Sequence, residues 1–189
     1  MSTAKVSTAT VSAATISAAT VSAAEPDWPE PFARGLYWTD MTVGSAYSTA
    51  SRMVTETDLM RFVSMGFTEP LFMDPAGAQA AGYRGRLVPG ALTFALAEGL
   101  LMQTNVIHGT GIAFLGTTMT VVAPVFVGDT IGVAWTVTEA RPTSRDNRGI
   151  VTTRNRVRRQ DGQIVMEYSP TRMIAGPPRS GPAGGGDRS

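Results

Sequence analysis

The apolar positions change their spacing along the chain, and the changes mark out elements. In VTETDLMRFVSMG (54–66), Leu59, Phe62 and Val63 share one helical face. Thr55 and Asp58 stand before them at capping-box spacing and Gly66 follows, which predicts a short amphipathic helix. VPGALTFALAEGLLMQT (88–104) is apolar almost all round, with Glu98 its only charge. A surface helix carries a polar stripe, so this one is expected to be wrapped by something. From residue 112 the spacing becomes strand-like: a run from Ile112 to Val122, an alternation through Ile131, Val133, Trp135 and Val137, a third run over 150–159 and a fourth over 164–174. Asp161-Gly162 is placed to turn the last two into a hairpin. An extended entry with aromatic anchors is expected over 35–47, and a helical turn or two over 74–83. One buried helix followed by an antiparallel meander predicts an α+β domain whose sheet curls around the helix.

The two ends read differently. VSTAT, VSAAT, ISAAT and VSAAE repeat from Val6 to Glu25, with a five-residue period that suits neither helix nor heptad. The lack of Arg and of a continuous apolar region argues against a transit or secretory leader. Residues 1–26 are therefore read as a disordered tail, and Pro/Gly-rich 176–189 as another, leaving a domain over 27–175.

Composition narrows the chemistry. The 189 residues carry a formal charge of +1, which gives no reason to expect nucleic acid or an anionic membrane as partner. No apolar run approaches the roughly 20 residues that span a bilayer. With no cysteine and a single histidine, His108, thiolate and multi-histidine metal sites are excluded, and a cytoplasmic setting is expected. His108, in NVIHGTG after the long helix, reads as a loop residue.

Four words taken together, TETDLMRFVS, PLFMDP, GRLVPGALTFALAEGLL and APVFVGDTI, resemble the MaoC-like hydratase/dehydratase family. The resemblance runs from Leu36 to Ile174. It implies the hot-dog fold, an antiparallel sheet wrapped around a long central helix. It also implies paired domains, with thioesters of coenzyme A or acyl carrier protein bound at their interface and no resident cofactor or metal. The family's catalytic loop, G-D-x-N-P-x-H-x-D, falls on 66–74. Gly66, Pro70 and Asp74 match it, but Phe67 stands at the Asp position and Phe72 at the His position. A phenyl ring neither accepts a proton nor orients a water.

What remains leaves three readings open. In the first, the chain is a non-catalytic or weakly catalytic thioester-binding subunit, a homodimer or the partner of an intact homologue. Gly90 at the helix start, Phe67, Phe72 and Arg86 would then line the site. In the second, Glu69 with Asp74 takes over acid/base work, since a carboxylate in an apolar pocket can titrate in a useful range. Against this, Glu69 also reads as an exposed loop acid, and Asp74 as a cap of the next turn or a partner of Arg84 or Arg86. In the third, Glu98 serves a thioesterase. Arg154, Arg156 and Arg158, at period two, read as a solvated strand face, with a contact to coenzyme A phosphates or an acidic carrier protein as the alternative.

Overall fold

A computed structural model of the chain describes residues 34–144 and 147–178. The tail reading for 1–26, and nearly all of that for 176–189, lies outside these residues. A single 3-10 turn, Trp38–Asp40, leads into two short strands, β1 (Ala46–Ser48) and β2 (Arg52–Met53). Helix α1 (Glu56–Val63) starts where the capping box predicts. Thr55 Oγ1 accepts the Asp58 N–H at 3.2 Å and Asp58 Oδ2 accepts the Thr55 N–H at 2.8 Å. Gly66 follows at φ +108°, a conformation that disfavours any side chain. Helices α2 (Pro70–Met73) and α3 (Pro75–Ala80) come next, then β3 (Leu87–Val88) and the long α4 (Gly90–Met102).

The rest is strand: β4 (Gly111–Val121), β5 (Val125–Phe126), β6 (Thr130–Pro142), β7 (Arg148–Arg159) and β8 (Ile164–Ala175). The main sheet is antiparallel, in the order β1-β6-β7-β8-β4, with β2 also on β6. Gly162, at φ +86°, turns β7 into β8. The expected simple meander holds for β6–β8 but not for β4, which crosses to the far edge and pairs with β8 from Gly111↔Ile174 to Val121↔Met166. The free side of β6 is taken by β1 and β2. A second pairing, β3 with β5, was not legible in the short word APVFVGD.

The inner face of the sheet meets α1 and α4. Leu59, Val63, Leu92, Ala97 and Leu100 from the helices pack against Ile131, Val133, Val157, Val165 and Met166 from the strands. Truncating the fully buried Leu59 to Ala would cost about 2–5 kcal/mol. A smaller cluster of Met41, Val137, Val151 and Ile174 lies under the entry segment, anchored by Trp38. The Trp38 ring lies where a Cβ on Gly149 would stand.

The wrapping of α4 is incomplete in the single chain. Ala91, Ala95, Gly99 and Met102 are exposed, a stripe that neither the sheet nor α1 reaches. Beside it in character is β4, exposed along nearly its whole length, with Phe114 49%, Leu115 51% and Val121 53% accessible. Among the described residues no helix is long and apolar enough to cross a membrane.

Candidate functional site

The loop GFTEPLFMDP folds as two linked helical turns. Glu69, in extended conformation, precedes α2, and Pro70 opens it where a missing N–H costs nothing. Asp74 Oδ1 accepts the Gly77 N–H at 2.6 Å and so caps α3. Gly77 leaves no room for a Cβ beside the Pro70 carbonyl, so α2 and α3 fold tightly together. This geometry turns Phe72 toward the core while Glu69 and Asp74 stay exposed.

Arg86 fastens that arrangement. Its Nε and Nη2 donate to the Phe72 carbonyl oxygen at 3.2 and 2.7 Å. Its Nη1 pairs with Glu56 in the first turn of α1, and its side chain is only 13% exposed. The Asp74 partners considered from sequence are thus both engaged elsewhere, Arg86 with Glu56 and Arg84 with Asp129 at 3.1 Å.

Behind Phe72 lies a cavity of about 270 Å³ at the N-terminus of α4. Gly90 and Thr93 line one side, Val121 and Ala123 another, and Val165 and Met166 the base. No side chain caps α4, whose N-cap is Pro89, so the positive end of a 13-residue helix borders the cavity with uncapped N–H groups. A Cβ on Gly90 would stand 2.9 Å from Val121 Cγ2, so glycine keeps this entrance open. Among the described residues lining the cavity, Tyr83 is the only one with a titratable side chain.

The site residues expected from sequence are therefore divided. Gly90 and Phe72 come together in the cavity lining. Phe67 does not; it is 40% exposed and packs tilted against Phe62 of α1 with ring centroids 4.4 Å apart. Arg86 acts from behind, on the backbone of Phe72. Glu69 and Asp74 are outside the lining. His108 lies in the turn after α4, where its carbonyl accepts the Gly35 N–H at 2.8 Å.

Glu98 belongs to a buried network instead. Tyr168 Oη donates to its Oε1 at 2.9 Å, and Arg172 Nη2 donates to its Oε2. Burial, with the Glu98 carboxylate alongside, holds the Tyr168 phenol above the usual tyrosine range. Thr153 Oγ1 donates to Asn155 Oδ1 at 2.7 Å, while Nδ2 of the buried Asn155 faces Tyr168 and makes no hydrogen bond of ordinary geometry among the described residues. A carboxylate held by two donors is poorly placed to accept a proton from water. Tyr168 and Arg172 were missed in the sequence, although a signal existed. Both share the inward parity of β8 with Ile174, and a charge at an inward position of a strand calls for a buried partner.

Three comparisons bear on this site. The model of the "FAS1-like, dehydratase domain region" family matches residues 41–168, which contain the whole cavity. The chain belongs to this family, and its fold is the MaoC-like hot-dog fold. The (R)-specific enoyl-CoA hydratase of Aeromonas caviae is 33% identical over 97 residues, 51% of this chain and 68% of that protein. The MaoC-like dehydratase of Rhodospirillum rubrum superposes with a TM-score of 0.71 at 26% identity, over 76% of this chain and 99% of the other. The (R)-hydratase PhaJ1 of Pseudomonas aeruginosa gives 0.64 at 26% identity, over 76% and 88%. In this MaoC-like frame the long α4 is the filling, and β4 is left as an open edge of the sheet.

Proposed function

We propose that this MaoC-like protein binds acyl thioesters of coenzyme A or acyl carrier protein in the α4 cavity, with little or no hydration chemistry of its own. The observation that carries this reading is the lining. An apolar chamber next to an uncapped helix N-terminus can seat an acyl chain and polarise a thioester carbonyl, yet the described lining residues include no carboxylate and no histidine. Phe72 fills the place where the resemblance puts a catalytic histidine. The ligand is the thioester itself, with no resident cofactor invoked.

The same reading makes the protein half of a dimer. A monomer rarely leaves an apolar edge strand such as β4 unpaired, because free N–H and C=O groups beside apolar side chains invite another strand. A second copy, or an intact homologue supplying the acid/base pair, would cover β4 and the exposed α4 stripe.

The test is the purified protein with crotonyl-CoA, following loss of the conjugated thioester absorbance and, separately, binding by calorimetry. Saturable binding without hydration is expected. Hydration that vanishes in Glu69→Gln would overturn the reading and make the exposed Glu69 the base.

A further inference from the structure

On the outer face of the sheet, opposite the cavity, the strands leave a groove of about 520 Å³. Its floor is made of the small residues Gly132 and Ala134 of β6. On one side the chain leaves the sheet between β1 and β2, bringing Ser48 and Ser51 over that floor; a Cβ on Gly132 would stand 2.8 Å from Ser51 Oγ. On the other side stand Arg156 and Arg158, both exposed.

The charges around this groove are unbalanced in a specific way. Glu167, the cross-strand neighbour of Arg156, is engaged by Arg154 at 3.3 Å. Asp161 is engaged by Arg159 at 2.5 Å. Neither Arg156 nor Arg158 has an ion-pair or hydrogen-bond partner for its side chain among the described residues, and the same holds for the hydroxyls of Ser48 and Ser51. Two guanidinium forks and two hydroxyl groups thus converge on one hollow that no carboxylate lines. Planar, multi-donor arrangements of this kind match phosphate oxygens.

We propose that this groove is an anion site for the phosphate groups of a small nucleotide-like ligand. Arg156 and Arg158 supply the charge, and Ser48 and Ser51 supply neutral donors. Two sources carry that chemistry. One is the nucleotide end of a coenzyme A thioester, in which case the inference rests on the function proposed above. The two hollows come near each other at one point, since Arg159 lines the continuation of the groove and donates to the Pro124 carbonyl at 3.3 Å, and Pro124 lines the α4 cavity. The other source is a separate phosphorylated molecule.

Calorimetric titration with inorganic pyrophosphate tests the site without any acyl group, so it stands apart from the failure of the thioester reading. Saturable binding is expected, weakened about tenfold by each of Arg156→Ala and Arg158→Ala. Arg154→Ala, outside the groove, should change it less than about twofold. Crotonyl-CoA and S-crotonyl-pantetheine, which lacks phosphate, separate the sources. Weaker binding of the first alone in the double variant places the thioester's own phosphates in the groove. Unchanged binding of both, with pyrophosphate binding still lost, assigns it to a separate ligand. Absence of saturable pyrophosphate binding at millimolar concentration, or equal binding to wild type and double variant, overturns the proposal.

Discussion

Arg86 holds Phe72 by its backbone, with two guanidinium N–H groups on one carbonyl oxygen at 2.7 and 3.2 Å. The same side chain pairs with Glu56, so α1, α2 and the approach to β3 are joined at one point. Arg86→Met should therefore cost about 1.5–3 kcal/mol, the worth of charge-assisted hydrogen bonds that are partly screened from water. Amide exchange over residues 70–74 should accelerate more than exchange in β7. Equal acceleration in both would mean that Arg86 supports the whole fold and not the position of Phe72.

Gly90→Ala separates packing from access. Alanine favours a helix interior by about 1 kcal/mol over glycine, a gain that is smaller at the first position of α4 and is set against the shift that the exposed Val121 must make. The melting temperature should hold or rise slightly. Thioester binding should weaken, because the new methyl group narrows the entrance at Val121. Unchanged affinity would move the thioester away from this helix end.

Removing one member of the Glu98–Arg172 pair leaves the other, buried or partly buried, without its ion partner. Arg172→Met should cost about 3–5 kcal/mol, and combining it with Glu98→Gln should recover part of that loss. Denaturant unfolding of wild type, Arg172→Met, Glu98→Gln and the double variant measures this directly. A fully additive loss would show that the two side chains are not coupled.

Acid sensitivity follows from Asp161 and Asp58. The hydrogen bond from Arg159 holds the Asp161 carboxyl at about 2, below its ordinary 3.8. For Asp58 burial works upward, but hydrogen bonds from Thr55 and Arg52 outweigh it and leave the carboxyl below its usual value. A depressed folded-state value means stability that is present above the unfolded value and lost as pH falls through the folded one. The urea midpoint should fall between pH 4 and pH 2, and Asp161→Asn should flatten part of that dependence. An identical pH profile in the variant would show that the Arg159–Asp161 contact adds nothing.

If a second chain covers β4, the outward apolar side chains there hold the pair together. Leu115→Glu should shift the protein toward monomer in sedimentation experiments while leaving its circular dichroism unchanged. A wild type that is already monomeric at tens of micromolar would remove the proposed dimer.

The local elements were readable because local spacing specifies them. Thr55 and Asp58 mark the start of α1, Gly66 its end, and the period-two runs mark β6, β7 and β8. Backbone geometry sets these within a few residues of chain, whatever lies elsewhere. The resemblance to MaoC-like proteins was legible in the same short words, and the family match bears it out.

The site was legible only as a set of residue types. That β4 lies beside β8, that Phe72 enters the cavity while Phe67 packs against Phe62, and that Arg86 grips a carbonyl 14 residues away were decided by tertiary structure. So was the fate of Glu98, whose partners are 70 and 74 residues distant. A hydrophobic pattern tells a side chain to leave water, but not which of several apolar surfaces will receive it. A buried charge must meet its partner, and only the sheet curled around α4 brings Arg172 and Tyr168 to Glu98.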